Sequence, residues 1–330
     1  MTVLICGAGI AGLTLALCLE RRGHAVLIVE QSPRLRDDGY MIDFFGSGYD
    51  AIERLGLLPE LAAIHEPLER VVFLDGNGLE QVSVPYPVLR IRLFGDRHFN
   101  FMRGNLERVL HRHLQSSTIL FDTTVDSYHQ EDRRVRVRLS DGTTHDADLL
   151  VGADGVHSRV REVAFGDGPF VRTLGYDMGA FIIDSPPPTL DVGRDVVTVT
   201  VPRRQVTVYP VRGGRLATFF LHQVASNTDR ASYDSPCSAL REVYGDLRWH
   251  VPQLLDQTGG RSPSSPLVCP DERLEGLGPK CHDARVPVTA GCPSTPPTDG
   301  CRQHIRAMTI RASWNDARHR TSPGERSRSS

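Results

Sequence analysis

The chain predicts an α/β fold: a parallel sheet covered by helices, joined to a second, mainly antiparallel β domain. Three observations predict it. An apolar run, a glycine turn and a helical segment open the chain as a β-α-β unit. A second buried apolar run, residues 147–152, recurs far along the chain. Between about residues 195 and 222 the pattern changes to closely spaced β-runs separated by turns.

The elements follow in order. Residues 2–6 read as a buried strand, and a helix runs from about Ile10 to Arg22 with Leu13, Ala16, Leu17 and Leu19 at helical spacing. Gly23 ends that helix, and residues 25–30 form the next strand. Near-continuous Val, Ile and Leu in both strands imply a parallel sheet covered on both faces. Helical stretches are expected from about Ser47 to Leu57 and after Pro59. Strands at 70–74 and 79–84 flank the turn Asp75-Gly76-Asn77-Gly78. Leu106, Val109, Leu110 and Leu114 form one stripe of a helix over 104–114. Strands follow at about 118–121, 123–129 and 133–139, with the turn Ser140-Asp141-Gly142 before a short strand and the run 147–152. The antiparallel part is read as Asp195–Val201, Gln205–Val211 and Arg215–His222, with helices near 237–245 and 250–256.

Composition bounds the function. The 330 residues are 40% hydrophobic and 24% charged, enough for about two domains with a real core. A formal net charge of −2 offers no basic field for nucleic acid or an anionic membrane. No apolar run reaches the roughly 18–20 residues of a spanning helix. The first residues carry neither a cationic start nor a small-residue cleavage site, so no signal peptide and a cytoplasmic location are expected. Of the 38 basic residues all but Lys280 are arginine, which reads as codon bias and not as a phosphate-binding surface.

Residues 259–330 differ in kind. All 12 Phe and all 8 Tyr precede them, and 30 of these 72 residues are Pro, Gly, Ser or Thr. A segment so poor in large apolar groups is expected to be loop-like or disordered. Cys6 and Cys18 read as small core residues, while Cys237, Cys269, Cys281, Cys292 and Cys301 show no metal-ligand spacing; a zinc site from Cys281, His282, Cys292 and Cys301 is not expected.

Gly7-Ala8-Gly9-Ile10-Ala11-Gly12 is G-x-G-x-x-G in the context that gives it meaning, after a strand and opening a helix. Gly7 permits the tight turn, Gly9 leaves room for a diphosphate against the backbone, and Gly12 lets helix and strand pack closely. The helix start offers free N–H groups and a positive dipole. Glu30 ends the second strand, where a carboxylate can accept hydrogen bonds from a ribose diol.

Several segments resemble the FAD-dependent class A aromatic hydroxylases, the para-hydroxybenzoate hydroxylase group with its tetracycline- and polyketide-modifying monooxygenases. The segments are Gly7 to Glu30; Gly39-Tyr40-Met41-Ile42-Asp43-Phe44 with Gly46-Ser47-Gly48; Met102-Arg103-Gly104-Asn105-Leu106; and Asp148 to Gly155 followed by Val156-His157-Ser158-Arg159. Together they cover about residues 1–256. The resemblance implies a Rossmann-like FAD-binding domain (1–70 and 99–165), a substrate domain (71–98 and 166–258) and an atypical tail (259–330). It implies that Glu30 binds the adenosine ribose, Arg103 reaches the flavin side or the phosphates, Asp43 lies near the isoalloxazine ring, and Asp154 and Gly155 stand near the pyrophosphate and help engage NAD(P)H. Plainer alternatives stay open: a surface arginine, a turn cap, and a loop after a strand. Arg34 and Arg36 either touch the adenine side or sit on a solvated loop.

The implied activity is hydroxylation of an aromatic, polyketide-like small molecule, in which NAD(P)H reduces FAD and oxygen is carried as a flavin hydroperoxide. No catalytic side chain can be named. Substrate contacts are expected from Val199, Val201, Tyr209, Phe219 and Phe220, with the phase of the strands undetermined. The protein is expected to act as a monomer or homodimer. Having only Trp249 and Trp314, the chain lacks the W-x-W-x-I-P signature of a halogenase.

The tail departs from the resemblance. Relatives carry a third FAD motif centred on Gly-Asp-Ala-Ala; at its place stands Asp283-Ala284-Arg285-Val286-Pro287-Val288-Thr289-Ala290-Gly291-Cys292-Pro293-Ser294. The alternative expectation is therefore a frameshifted or damaged remnant that binds FAD weakly or not at all.

Overall fold

The computed structural model describes residues 1–35, 40–224, 235–260, 269–274 and 307–309. Its centre is a five-stranded, all-parallel sheet in the order β17-β11-β1-β2-β7. The strands are β1 (Thr2–Cys6), β2 (Ala25–Val29), β7 (Thr118–Leu120), β11 (Leu149–Gly152) and β17 (Ala307–Thr309). Strand alternation sorts the side chains of β1 between two cores. Val3 and Ile5 pack with Leu13 and Leu17 of α1 (Ile10–Glu20) and with Leu106 and Leu110 of α5 (Arg103–Arg112). Leu4 and Cys6 pack on the opposite face with Val125, Val137 and Leu139. Those residues belong to a three-stranded antiparallel sheet of β8 (Val125–Gln130), β9 (Val135–Leu139) and β10 (Thr144–Ala147). The uninterrupted apolar strands are thus explained by cover on both sides.

The second domain is a seven-stranded sheet in the order β16-β12-β15-β14-β13-β4-β5. Its strands are β4 (Arg70–Leu74), β5 (Glu80–Pro85), β12 (Val171–Ile183), β13 (Val196–Val201), β14 (Arg204–Val211), β15 (Arg215–Gln223) and β16 (Cys269–Leu274). Only β13 and β4 pair in parallel; the other pairs are antiparallel. One face is buried under α7 (Pro236–Tyr244) and α8 (Val251–Asp256). Ser235 starts α7 with a reciprocal capping box to Ser238, which fixes where the covering helix begins.

A two-stranded antiparallel ribbon, β3 (Met41–Phe45) with β6 (His98–Met102), lies between the two domains. Ile42, Phe44, Phe99 and Phe101 point into the parallel-sheet core. Met41 and Met102 point the other way, against Tyr209, Val211 and Ala217 of the large sheet. Neither strand was expected from the sequence, because each is bounded by polar residues and sorts its side chains between two cores. Helix α4 (Tyr86–Phe94) was also missed: it buries none of its residues, so it carries no core-facing stripe. The remaining helices are α2 (Ser47–Arg54), α3 (Leu58–Ile64) and α6 (Arg159–Phe165), the last capped by the Ser158 hydroxyl.

Two strands fall within the tail that was expected to be loop-like. β16 pairs with the edge of β12, and β17 extends the parallel sheet beside β11. An open sheet edge recruits a strand through backbone hydrogen bonds, so large apolar side chains are not required. Asp283 to Ser294, the segment at the place of the third FAD motif, lies outside the described residues, as do Arg36, Cys281, His282, Cys292 and Cys301.

Candidate functional site

The turn after β1 is built from backbone. Gly7 has φ +105, and its N–H donates to the Val29 carbonyl at 2.7 Å. A Cβ there would stand 2.5 Å from the Ala153 carbonyl oxygen, so only glycine fits. On the other side of β1 the Ala153 N–H donates to Cys6 at 2.7 Å, which draws the loop after β11 against the glycine turn. At Gly12 a Cβ would lie 1.9 Å from the Gly7 carbonyl oxygen. The close approach of helix to turn is therefore set by that glycine.

Gly9 differs. Its backbone is extended, at φ −74 and ψ −178, and it begins α1 with no side chain capping the helix. A Cβ would meet Arg103 Nη2 at 3.6 Å and Glu107 Oε1 at 3.9 Å. A side chain there would stand between the positive end of α1 and the Arg103 guanidinium. Arg103 opens α5 directly after β6, its N–H donates to the Tyr40 carbonyl at 3.2 Å, and its Nη2 lies 3.1 Å from Glu107 Oε1. Glu107 is buried and was not singled out from the sequence, although its i,i+4 spacing from Arg103 on a helix was legible.

Glu30 is at the far end of this cradle, and it is engaged with the loop itself. Oε2 accepts the Ala8 N–H at 2.7 Å and Oε1 accepts the Ser32 N–H at 2.9 Å. Ile10 and Ala11 form the first turn of α1 as expected of residues that present N–H groups. Asp154 lies beside the glycine turn, its Cα 2.9 Å from the position of a Cβ on Gly7. Its carboxylate is turned to α6: Oδ1 accepts the Ser158 hydroxyl at 2.6 Å and Oδ2 accepts the Val160 N–H at 3.1 Å. Gly155, at φ +84, has open space around it. Cys6 lies beneath the loop; burial and the adjacent Asp154 charge push its thiol up to about 12.

Asp43 stands on the ribbon, apart from the glycine turn. Its Oδ1 accepts the Tyr86 hydroxyl at 2.8 Å and lies 3.0 Å from Nε2 of buried His98. Burial raises its carboxyl, but the hydrogen bonds from His98 and Tyr86 outweigh that and hold it below the usual carboxylate value. His98 and Tyr86 were not expected; the alternation His98, Asn100, Met102 was the available signal.

The large sheet separates the residues expected to touch substrate. Tyr209 and Phe219 lie on the face turned to the ribbon: the Tyr209 hydroxyl accepts the Met41 N–H at 2.8 Å, and the Phe219 ring is 6.0 Å from that of Tyr40. Val199, Val201 and Phe220 lie on the opposite face, packed under α7 and α8. Parity explains the division, since Val199 and Val201 alternate with Thr198 and Thr200. Val199 is fully buried and Phe220 packs edge-on against Tyr244 at 5.0 Å.

The profile of the FAD binding domain family matches residues 1–234. The chain belongs to this family. It is 34% identical over 195 residues to the flavin-dependent monooxygenase eupH of Phoma sp, covering 56% of this chain and 45% of that protein. It is 33% identical over 221 residues to 3-amino-4-hydroxybenzoate 2-monooxygenase of Streptomyces cremeus, covering 66% of this chain and 55% of that one. The chain thus spans about half the length of the curated relatives it matches. Among solved structures, tetracycline destructase Tet(51) superposes with a TM-score of 0.68 at 23% identity, over 83% of this chain and 70% of that one, which shows the shared fold. No described helix of this FAD binding domain is long and apolar enough to cross a membrane.

Proposed function

We propose that this chain binds FAD in the Gly7–Gly12 cradle and forms part of an NAD(P)H-dependent monooxygenase that hydroxylates an aromatic, polyketide-like small molecule in the cytoplasm. One observation supports the reading most: Gly9 leaves bare backbone at an uncapped helix start, with the Arg103 guanidinium beside it. FAD, when bound, supplies transfer of electrons from NAD(P)H and activation of oxygen. The chain's own residues do the rest. The N–H groups of Ile10 and Ala11 and the Arg103 guanidinium hold the diphosphate, and Glu107 keeps Arg103 turned toward it. Glu30 holds the loop through Ala8 and has acceptor capacity left for a ribose hydroxyl. Asp154 and Gly155 shape the wall beside Gly7, where NAD(P)H engagement would be felt. Tyr40 and Phe219 offer ring surfaces to an aromatic substrate, backed by buried Tyr209, and exclude water from it. That the relatives include flavin-dependent monooxygenases supports this reading.

The test is NADPH or NADH oxidation by the FAD-supplemented protein in the presence and absence of simple phenols and naphthols. Oxidation stimulated by an aromatic, with a hydroxylated product by mass spectrometry, is expected. A folded protein that stays colourless with excess FAD contradicts the reading and returns the chain to a non-catalytic remnant.

A further inference from the structure

We propose that Asp43 determines substrate specificity: its second carboxylate oxygen accepts a hydrogen bond from an O–H or N–H group on the aromatic substrate, with Tyr86 and His98 as positioning residues. The proposal rests on the monooxygenase reading above and deepens it by naming the substrate class.

Both donors fall on the same oxygen. Tyr86 donates its hydroxyl to Oδ1 at 2.8 Å, and His98 Nε2 is 3.0 Å from that atom. Among the described residues nothing donates to Oδ2, and the Asp43 side chain is 51% exposed while that of His98 is 0% exposed. The two donors come from different elements, the start of α4 and β6, so the carboxylate is held from two directions with one oxygen left to present.

The direction of presentation follows from strand parity. Ile42 and Phe44 enter the parallel-sheet core, so Met41 and Asp43 share the other face. Met41 meets Tyr209 on that face, and the rings of Tyr40 and Phe219 adjoin it. Asp43 thus lies on the face of the ribbon turned toward the large sheet, where Tyr40 and Phe219 are partly exposed.

Nδ1 of His98 is buried without a partner among the described residues. Its Nε2 meets the Asp43 carboxylate. Around Asp43 stand Tyr86 and Arg90 of α4, His98 of β6 with His65 behind it, Tyr209 of β14, and Tyr40 beside its own strand. The carboxylate is held through the Tyr86 hydroxyl and His98 Nε2. A carboxylate so stabilised is a weak base. It orients a phenol or arylamine and repels an anion placed at the same point.

The experiment uses the FAD-loaded protein and a matched pair of probes, 2-naphthol and 2-methoxynaphthalene, followed by perturbation of the flavin absorbance and by equilibrium dialysis. Wild type is expected to bind the naphthol about tenfold tighter, the worth of one hydrogen bond to a charged group. Asp43→Leu is expected to abolish that preference. Tyr86→Phe, which keeps the ring, removes one donor from Oδ1; its preference is expected to fade at a higher pH than in wild type as the buffer is acidified. Tyr86→Phe carries the test should Asp43→Leu fail to fold or to hold FAD. A wild type without the preference, an FAD-loaded Asp43→Leu protein that retains it, or a Tyr86→Phe profile superimposed on wild type overturns the proposal. A wild type that takes up no FAD overturns the monooxygenase reading itself, and its colourless spectrum distinguishes that failure from the others.

Discussion

The Glu30 carboxylate accepts the Ala8 N–H at 2.7 Å, tying the end of β2 to the middle of the glycine turn. An acid at this place is commonly assigned to a ribose, and here it also holds the loop that must receive the diphosphate. Glu30→Gln retains one acceptor oxygen where the native side chain uses two, for Ala8 and Ser32. The loss of a charge-assisted bond of about 1.5–3 kcal/mol is expected to weaken FAD roughly 10- to 100-fold. Fluorescence titration with FAD checks it, and ADP binding should fall in parallel because the loop and not the flavin ring is affected.

The three glycines of the turn predict three different phenotypes. Gly12→Ala places a Cβ 1.9 Å from a backbone carbonyl oxygen that cannot move aside, and a loss of about 3 kcal/mol or more is expected. Gly9→Ala adds its Cβ in open contact with the tip of Arg103, on an extended backbone any residue can adopt. That variant is expected to unfold at the wild-type temperature and to bind FAD poorly. Thermal melts with and without FAD separate the two. Equal destabilisation by both substitutions would contradict the assignment of Gly9 to ligand and Gly12 to packing.

The two faces of the large sheet are separable by mutation. Val199→Ala hollows the core under α7 and α8 and is expected to cost about 2 kcal/mol with little change in the binding of an aromatic probe. Phe219→Ala, on the face turned to Tyr40, is expected to do the reverse, leaving stability near wild type while weakening the probe several-fold. Urea midpoints and probe titrations on both variants give the comparison.

Asp43 makes stability depend on pH in a definite direction. Its folded value lies below the unfolded one, near 3.9 for a free aspartate, so its contribution is present above that value and is lost as pH falls through the folded value. Tyr86→Phe removes one of the hydrogen bonds responsible. The variant is expected to be less stable than wild type at neutral pH, with the difference shrinking in acid. Urea melts at neutral pH and near pH 3 check the sign.

The parts of the fold that were readable share a physical property. β1, β2 and β11 are buried on both faces, so their composition alone marks them. The hairpin strands β13, β14 and β15 carry turns at Arg203 and Gly213-Gly214 with positive φ, which punctuate the sequence. β3 and β6 were hidden because their alternate residues serve two different cores, and α4 because it faces solvent. At the site, Gly7, Gly9, Gly12 and Arg103 could be read because the glycine spacing and the helix start are local. The pairing of Asp43 with His98 and Tyr86 spans 55 and 43 residues, and no local pattern announces it. The phase of Val199 against Tyr209 likewise depends on which face the helices cover, a tertiary fact.

The account stands or falls on FAD reaching Gly9 and Arg103. The direct measurement is the FAD dissociation constant of wild type, Gly9→Ala and Arg103→Ala, by flavin fluorescence with ADP as competitor. Saturable binding by wild type, competition by ADP, and a loss of about tenfold or more in each folded variant are predicted. A well-folded wild type that binds no FAD, or variants that bind it as wild type does, would contradict the placement of the cofactor.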